Sequence, residues 1–256
     1  MRHIAWNNII AIEGSSENVN FPASRVLDEH PKRPYNAADG VNVAVLTAEV
    51  LGGCSDIMIA GTNAADASIS VSDPNAVEWG YGSEWGYGSE WGNTEISVTA
   101  SVIQRSRTES LWLMLSETVN VPCEVAMTLT APGGETLKAG VATANVSKTY
   151  GGSSPRYGLG GTRVDTSIID ENSNGSRYYK KRDILRVFRI SMILTIADAF
   201  DLENSFDELG EMPSAWKITN LEGNEWVVYG RFDGPPEITH DELGYSNANF
   251  TIIEVL

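Results

Sequence analysis

A mainly β protein is predicted, and three observations predict it. Short apolar runs recur at intervals of roughly ten residues, with Gly, Pro, Asn and Asp clustered between them. Several of these runs alternate apolar and polar residues, the pattern of a strand with one buried face. A single segment in the C-terminal third has helical spacing instead. Strands in such a succession close into a sandwich or a barrel. With 256 residues, 42% hydrophobic and 20% charged, the chain can bury one large core or two ordinary ones.

Ile4 to Ile12 reads as the first strand, ending at Gly14-Ser15-Ser16. Residues 20–40 form a polar, proline-punctuated loop that begins Phe21-Pro22-Ala23-Ser24-Arg25 and continues to Arg33-Pro34-Tyr35. Asp39-Gly40 is a turn pair, after which Val41 to Leu51 resumes the strand pattern. Gly52-Gly53-Cys54-Ser55-Asp56 breaks this run from Ile57–Ala60, a buried strand that ends in Gly61-Thr62-Asn63. Ala67 to Val71 is the next strand.

Then comes a hexamer repeated without change. Trp79-Gly80-Tyr81-Gly82-Ser83-Glu84 is followed by the same six residues at 85–90 and then by Trp91-Gly92. Extended, the run puts Trp79, Tyr81, Trp85, Tyr87 and Trp91 on one face. That face could stack on sugar rings or anchor a partner protein. The plainer reading is a short duplication that lengthened a flexible, glycine-rich surface loop. Two copies are too few for a repeat architecture. Glu95–Val102, Leu111–Leu115 and Val121–Thr130 continue the strands, the last closed by Pro132-Gly133-Gly134.

The order of these features resembles the N-terminal half of discoidin-like (galactose-binding-like) β-sandwich domains, in the form found in tail and virion proteins of tailed bacteriophages. Phe21-Pro22-Ala23-Ser24, Arg33-Pro34 and Gly61-Thr62-Asn63 carry the resemblance. It implies a discoidin-like jelly-roll β-sandwich over residues 1–150, with the 79–92 repeat as an insertion outside the pattern. It also implies that loops at the sandwich end make contacts, through Phe21, Arg25, Arg33, Tyr35 and Asn63.

Tyr150-Gly151-Gly152-Ser153-Ser154-Pro155 is the best candidate boundary, so residues 151–256 are expected to form a second β-rich domain. The run Gly158–Gly161 lacks the lysine and following helix of a phosphate loop. Thr162 to Ile169 is strand-like, and 170–176 is a polar loop whose oxygen-rich spacing is common in turns as well as in calcium sites. Arg177-Tyr178-Tyr179-Lys180-Lys181-Arg182 is a basic cluster, either a solvated edge or a patch for an acidic neighbouring subunit. Ile184 to Leu194 is a long strand. Thr195-Ile196-Ala197-Asp198 has the form of a capping box and opens a helix near 196–209, with Ala199, Leu202, Phe206 and Leu209 on one side. Gly210 and Pro213 stop it. Strands at 215–219, 225–232 and 249–256 complete the domain. Trp216-Lys217-Ile218, Tyr229-Gly230-Arg231 and Ile253-Glu254-Val255 resemble the C-terminal halves of phage tail-tip proteins.

A net charge of −16 repels phosphate backbones and anionic lipid, which argues against nucleic acid and membrane surfaces as partners. No apolar window is long enough to span a membrane, and the first residues do not read as a secretory signal. Cys54 and Cys123 form neither a disulfide framework nor a zinc motif; two buried thiols or a single bridge are both compatible with their positions. His3, His30 and His240 stand apart, without triad or HExxH spacing, so no catalytic residue, metal site or cofactor is assigned. The expectation is a non-enzymatic structural protein of a phage virion, made in the host cytoplasm. It would sit in the tail tip or baseplate as a homo-oligomer, touching other tail proteins. The alternative is an adhesion module for a host-surface glycan, using the sandwich-end loops and the aromatic repeat.

Overall fold

The computed structural model describes residues 1–28, 31–72, 96–100, 110–150, 159–171, 177–180, 184–219, 225–240 and 244–255. The protein is mainly β and divides into two compact units, one of Trp6–Ser147 and one of Met1–Ala5 with Lys148–Leu256. The expected first strand is in fact two. β1 (Arg2–Ile4) pairs within the second unit, whereas β2 (Ile9–Gly14) opens the first. Asn7 holds the chain between them: its amide donates to the Ala142 carbonyl at 3.0 Å, and its own carbonyl accepts from the Ile9 and Ala144 N–H groups at 3.2 Å. Residues 1–5, assigned by sequence to the domain 1–150, therefore belong with the C-terminal half. Strand periodicity reads local pattern and cannot see a partner more than 200 residues away.

The first unit continues through β3 (Tyr35–Asn36), β4 (Val43–Val50), β5 (Cys54–Ala60), β6 (Asp66–Ser72), β7 (Ile96–Ala100), β8 (Ser110–Val119), β9 (Cys123–Thr130), β10 (Lys138–Ala139) and β11 (Val141–Asn145). Two antiparallel sheets result, ordered β2-β4-β9-β6-β7 and β11-β5-β8, with β3 and β10 as a small separate ladder. Alternation decides which face is inside. In β4, Ala44, Leu46, Ala48 and Val50 are buried while Val43 and Glu49 are exposed. Leu46, Ile69, Val125, Met127 and Leu129 of the five-stranded sheet share one core with Ile57, Ile59, Leu111, Leu113 and Ala142 of the three-stranded sheet. This is the predicted β-sandwich. Cys54 and Cys123 are both buried in this core as free thiols.

The second unit holds β1 together with β12 (Lys148–Thr149), β13 (Gly160–Asp165), β14 (Ile168–Glu171), β15 (Arg177–Lys180), β16 (Ile184–Thr195), α1 (Ile196–Leu209), β17 (Ser214–Thr219), β18 (Glu225–Phe232), β19 (Glu237–His240) and β20 (Tyr245–Glu254). Its main sheet runs β12-β1-β17-β18-β20-β16-β13, with β19 also on β20. The strand expected over 162–169 is split between β13 on this sheet and β14, which forms a hairpin with β15. The helix begins as expected: Thr195 Oγ1 accepts from the Asp198 N–H at 3.1 Å. It ends at Gly210, whose φ of +57° a side chain would oppose. Ala199, Leu202 and Leu209 pack with Phe188, Ile190, Met192 and Leu194 of β16 in this unit's core.

His3 lies in that core rather than at a site. Its ring stacks on Trp216 at 3.6 Å between centroids, and its Nε2 is 3.0 Å from Ser214 Oγ. Burial, aided by the charge of Lys148, pushes its pKa down to about 3, so the ring is neutral at ordinary pH.

Candidate functional site

The strands of the sandwich fix which loops meet. Val43 of β4 and Asp66 of β6 both pair with Thr130 of β9, so the loops 15–42, 61–65 and 131–137 gather at one end. The motifs behind the discoidin-like resemblance, Phe21-Pro22-Ala23-Ser24, Arg33-Pro34 and Gly61-Thr62-Asn63, are in the loops at this end. Gly61 takes a φ of +66°, and a Cβ there would come within 3.2 Å of the Pro31 carbonyl. Gly140 is tighter still: a Cβ would meet the Ala60 and Pro31 carbonyls at 2.7 and 2.8 Å. The two glycines let the 20–40 loop rest on the ends of β5 and β11.

Thr62 and Asn63 bind the neighbouring loop. Thr62 Oγ1 donates to the Lys138 carbonyl at 2.7 Å. Asn63 Nδ2 donates to the Thr136 carbonyl at 3.0 Å, and its Oδ1 accepts from the Lys138 N–H at 2.8 Å. The described residues of the 20–40 loop are tied down in the same way. It contains a short 3₁₀ helix, Ala23–Leu27, in which Ala23 and Val26 are buried. Glu17 Oε1 accepts from the N–H groups of Gly14 and Ala23 at 3.1 and 3.2 Å. Tyr35 is fully buried and its hydroxyl donates to the Ser16 carbonyl at 2.7 Å. Desolvation, then the charge of Glu17, pushes that hydroxyl up to about 12, so it stays protonated.

The five loop residues singled out by sequence therefore have different roles. Tyr35 is framework and is not presented at the surface, and Asn63 spends both ends of its amide on the adjacent loop. Arg25 and Phe21 are half-buried, the guanidinium lying 4.8 Å over the ring centre. Arg33 is exposed, beside exposed Lys32 and near exposed Ser24 and Asp28 in sequence. The surface this end offers carries both charges: Lys32 and Arg33 are exposed, and so are Glu17, Asp28 and Glu135. Loop residues that look like ligands in a sequence are often those that hold the loop, because both tasks require polar side chains.

Trp79, Tyr81, Trp85, Tyr87 and Trp91 lie outside the described residues. The strand ends that flank them are described. Val71 of β6 pairs with Ile96 of β7, and Ser72 pairs with Glu124 at the start of β9. That is the end of the sandwich carrying Val50 and Cys123, opposite to Val43 and Thr130. The two candidate sets thus start from opposite ends, about 20 Å of strand apart. His30 is also outside the described residues. His240 sits at the end of β19, with Nδ1 2.8 Å from Ser246 Oγ and its ring 5.4 Å from that of Phe200.

Sequence reasoning missed Asp56. It had read as part of a break, yet it is fully buried on β5. Trp112 Nε1 donates to its Oδ1 at 2.7 Å, and the Ser55 and Ser147 hydroxyls donate to its Oδ2 at 2.6 Å. Its burial depends on β8 and on the end of β11, neither of which leaves a mark near residue 56. Among the described residues, no group of three or more His, Cys, Asp or Glu is placed to hold a metal ion, and no helix is long and apolar enough to cross a membrane.

No family model and no curated protein matches the chain. Among solved structures, it is similar to reduced XRCC1 bound to the DNA polymerase β catalytic domain, at 13% identity over 56% of this chain and 98% of that one, with a TM-score of 0.37. It is similar to the family 32 carbohydrate-binding module of NanJ from Clostridium perfringens, in complex with galactose, at 12% identity over 56% of this chain and all of that one, with a TM-score of 0.36. A third likeness is CpGH89CBM32-6 produced by Clostridium perfringens, at 14% identity over 53% and 91% of the two chains, with a TM-score of 0.33. At these scores and identities the likenesses bear on neither ligand nor partner.

Proposed function

We propose that this chain is a non-catalytic structural protein of a tailed-phage virion, a tail-tip or baseplate component that meets copies of itself and other tail proteins through rigid β surfaces. Synthesis in the host cytoplasm and incorporation into the particle go with that role. The sequence resemblance motivates the reading. The observation that carries it is the state of the first-unit residues behind that resemblance: Gly61, Thr62 and Asn63 lock one loop to the next, leaving a stiff rim on which Arg33 is exposed. A pre-organised rim suits docking, where ordering a loop on contact would weaken association. Mass spectrometry of purified particles tests it. The chain is expected among the virion proteins, and its absence from them refutes the reading.

A second reading is adhesion to a host-surface glycan. It is favoured by the alternating Trp and Tyr residues carried in the connection from Ser72 to Ile96, which joins two paired strands at a sandwich end. A glycan array probed with the full chain and with a deletion of 79–90 checks it. Binding by the full chain alone supports adhesion through this run. No binding by either leaves the structural reading standing by itself.

A further inference from the structure

The second unit carries a cleft on the face of its sheet away from the core. Ile190 and Met192 of β16 point into the core, so the pleat sends Arg189 and Ser191 to the other face. Arg189 pairs with Thr251 of β20, and Ser191 with Asn249, which pairs in turn with Glu237 of β19. Two rows of polar residues therefore lie side by side across three strands. The stretch between β18 and β19 turns over them at Gly234, whose φ is +86°, and Asp233 is tied down by its N–H bond to the Thr251 carbonyl at 2.9 Å. These residues line an open cleft of about 310 Å³.

The polar groups in it are largely unspent. Ser191 Oγ donates to Asn249 Oδ1 at 2.6 Å, which leaves the Asn249 amide hydrogens to give. The Arg189, Asp233 and Glu237 side chains are exposed and make no hydrogen bond or ion pair with another residue among those described. An anion would be drawn to Arg189 but would face two carboxylates, and a cation would meet the reverse. A neutral ring bearing several hydroxyls suits all of them at once, donating to Asp233 and Glu237 while accepting from Arg189 and Asn249. The floor, three strands wide at ~4.8 Å spacing, matches one or two pyranose rings. The geometry points to a binding site for a neutral mono- or disaccharide at Arg189, Ser191, Asp233, Glu237, Asn249 and Thr251. It stands independently of the sandwich and of the aromatic run, and its groups sit mostly on strands, which hold them in place without ordering on contact.

The test is NMR titration of the full chain with glucose, galactose, mannose, their N-acetylamino forms and the corresponding neutral disaccharides, with inorganic phosphate as the anionic control. At least one sugar should shift the backbone amides of 189–191, 233–237 and 249–251. Arg189→Ala and Glu237→Gln, each checked for unchanged melting, should weaken that sugar by about tenfold or more, the loss of a charged hydrogen bond. Deletion of 79–90 should leave it unchanged. Absence of shifts with every sugar, shifts confined to residues outside the cleft, or phosphate binding in preference to all of them would overturn the assignment. So would equal sugar affinity in wild type and both variants.

Discussion

Asp56→Ala removes the acceptor shared by Trp112, Ser55 and Ser147 inside the sandwich. The carboxylate is fully buried and Trp112 is 6% exposed, so water cannot readily replace the lost oxygen at the indole N–H. A buried donor without a partner costs about 1–3 kcal/mol, and this one gives up a charge-assisted bond. Ser55 and Ser147 are only half-buried and can turn to solvent, which limits their share to about 0.5 kcal/mol each. The total is about 3 kcal/mol, or roughly 8–10 °C of melting temperature for a unit of this size. Asp56→Asn keeps an oxygen for Trp112 and offers N–H donors to the serine oxygens, so it should cost about 1 kcal/mol. Near-UV circular dichroism follows melting of the full chain, and hydrogen exchange of β5 and β8 amides assigns the transition to the sandwich. An Asp56→Ala protein that melts within ~2 °C of wild type, with those amides equally protected, would show that the cluster is a bystander.

Three further outcomes are expected. His3 is neutral in the folded state down to a pKa of about 3 but titrates at about 6.5 when unfolded. Its contribution is therefore full above pH 6.5 and lost as pH falls toward 3, at about 1.4 kcal/mol per pH unit, because the unfolded chain binds the proton first. His3→Phe, which can keep the stack on Trp216, should flatten that part of the acid dependence of the second unit's stability relative to wild type in urea titrations. Glu254 is 4% exposed and takes a bidentate pair from Arg186, Nε lying at 2.9 and 3.0 Å from its two oxygens. Glu254→Ala should destabilise the second unit by about 3 kcal/mol, since it strands a half-buried guanidinium, and Glu254→Gln by clearly less, as thermal melts can compare. Gly140→Ala places a methyl group between the Ala60 and Pro31 carbonyls, so it should cost about 1–3 kcal/mol and speed exchange of the amides at 35–37.

Much of the fold was legible. The strands from β4 to β9 show alternation or compact apolar runs bounded by turn residues, and the α1 cap, apolar side and terminal Gly210 are all written locally. The splitting of residues 4–12 was not, because β1 finds its partner in β17 and only the pairing separates it from β2. The candidate site was half legible. Phe21, Arg25, Arg33, Tyr35 and Asn63 do converge on loops at one sandwich end, but the inward turn of Tyr35 toward Ser16 depends on a contact that residue type does not announce.

By itself the sequence determined what is periodic or punctuated: a mainly β chain, one capped helix, an acidic surface and glycines at the turns. Those follow from backbone preferences and side-chain spacing within a few residues. Only the tertiary structure decided which polar residues are inside. Asp56 and His3 are buried because distant strands bring Trp112 and Trp216 against them, while Arg189 and Glu237 stay unspent because their sheet face faces solvent. Burial of a polar group depends on partners supplied from elsewhere in the chain, and that is information no local pattern contains.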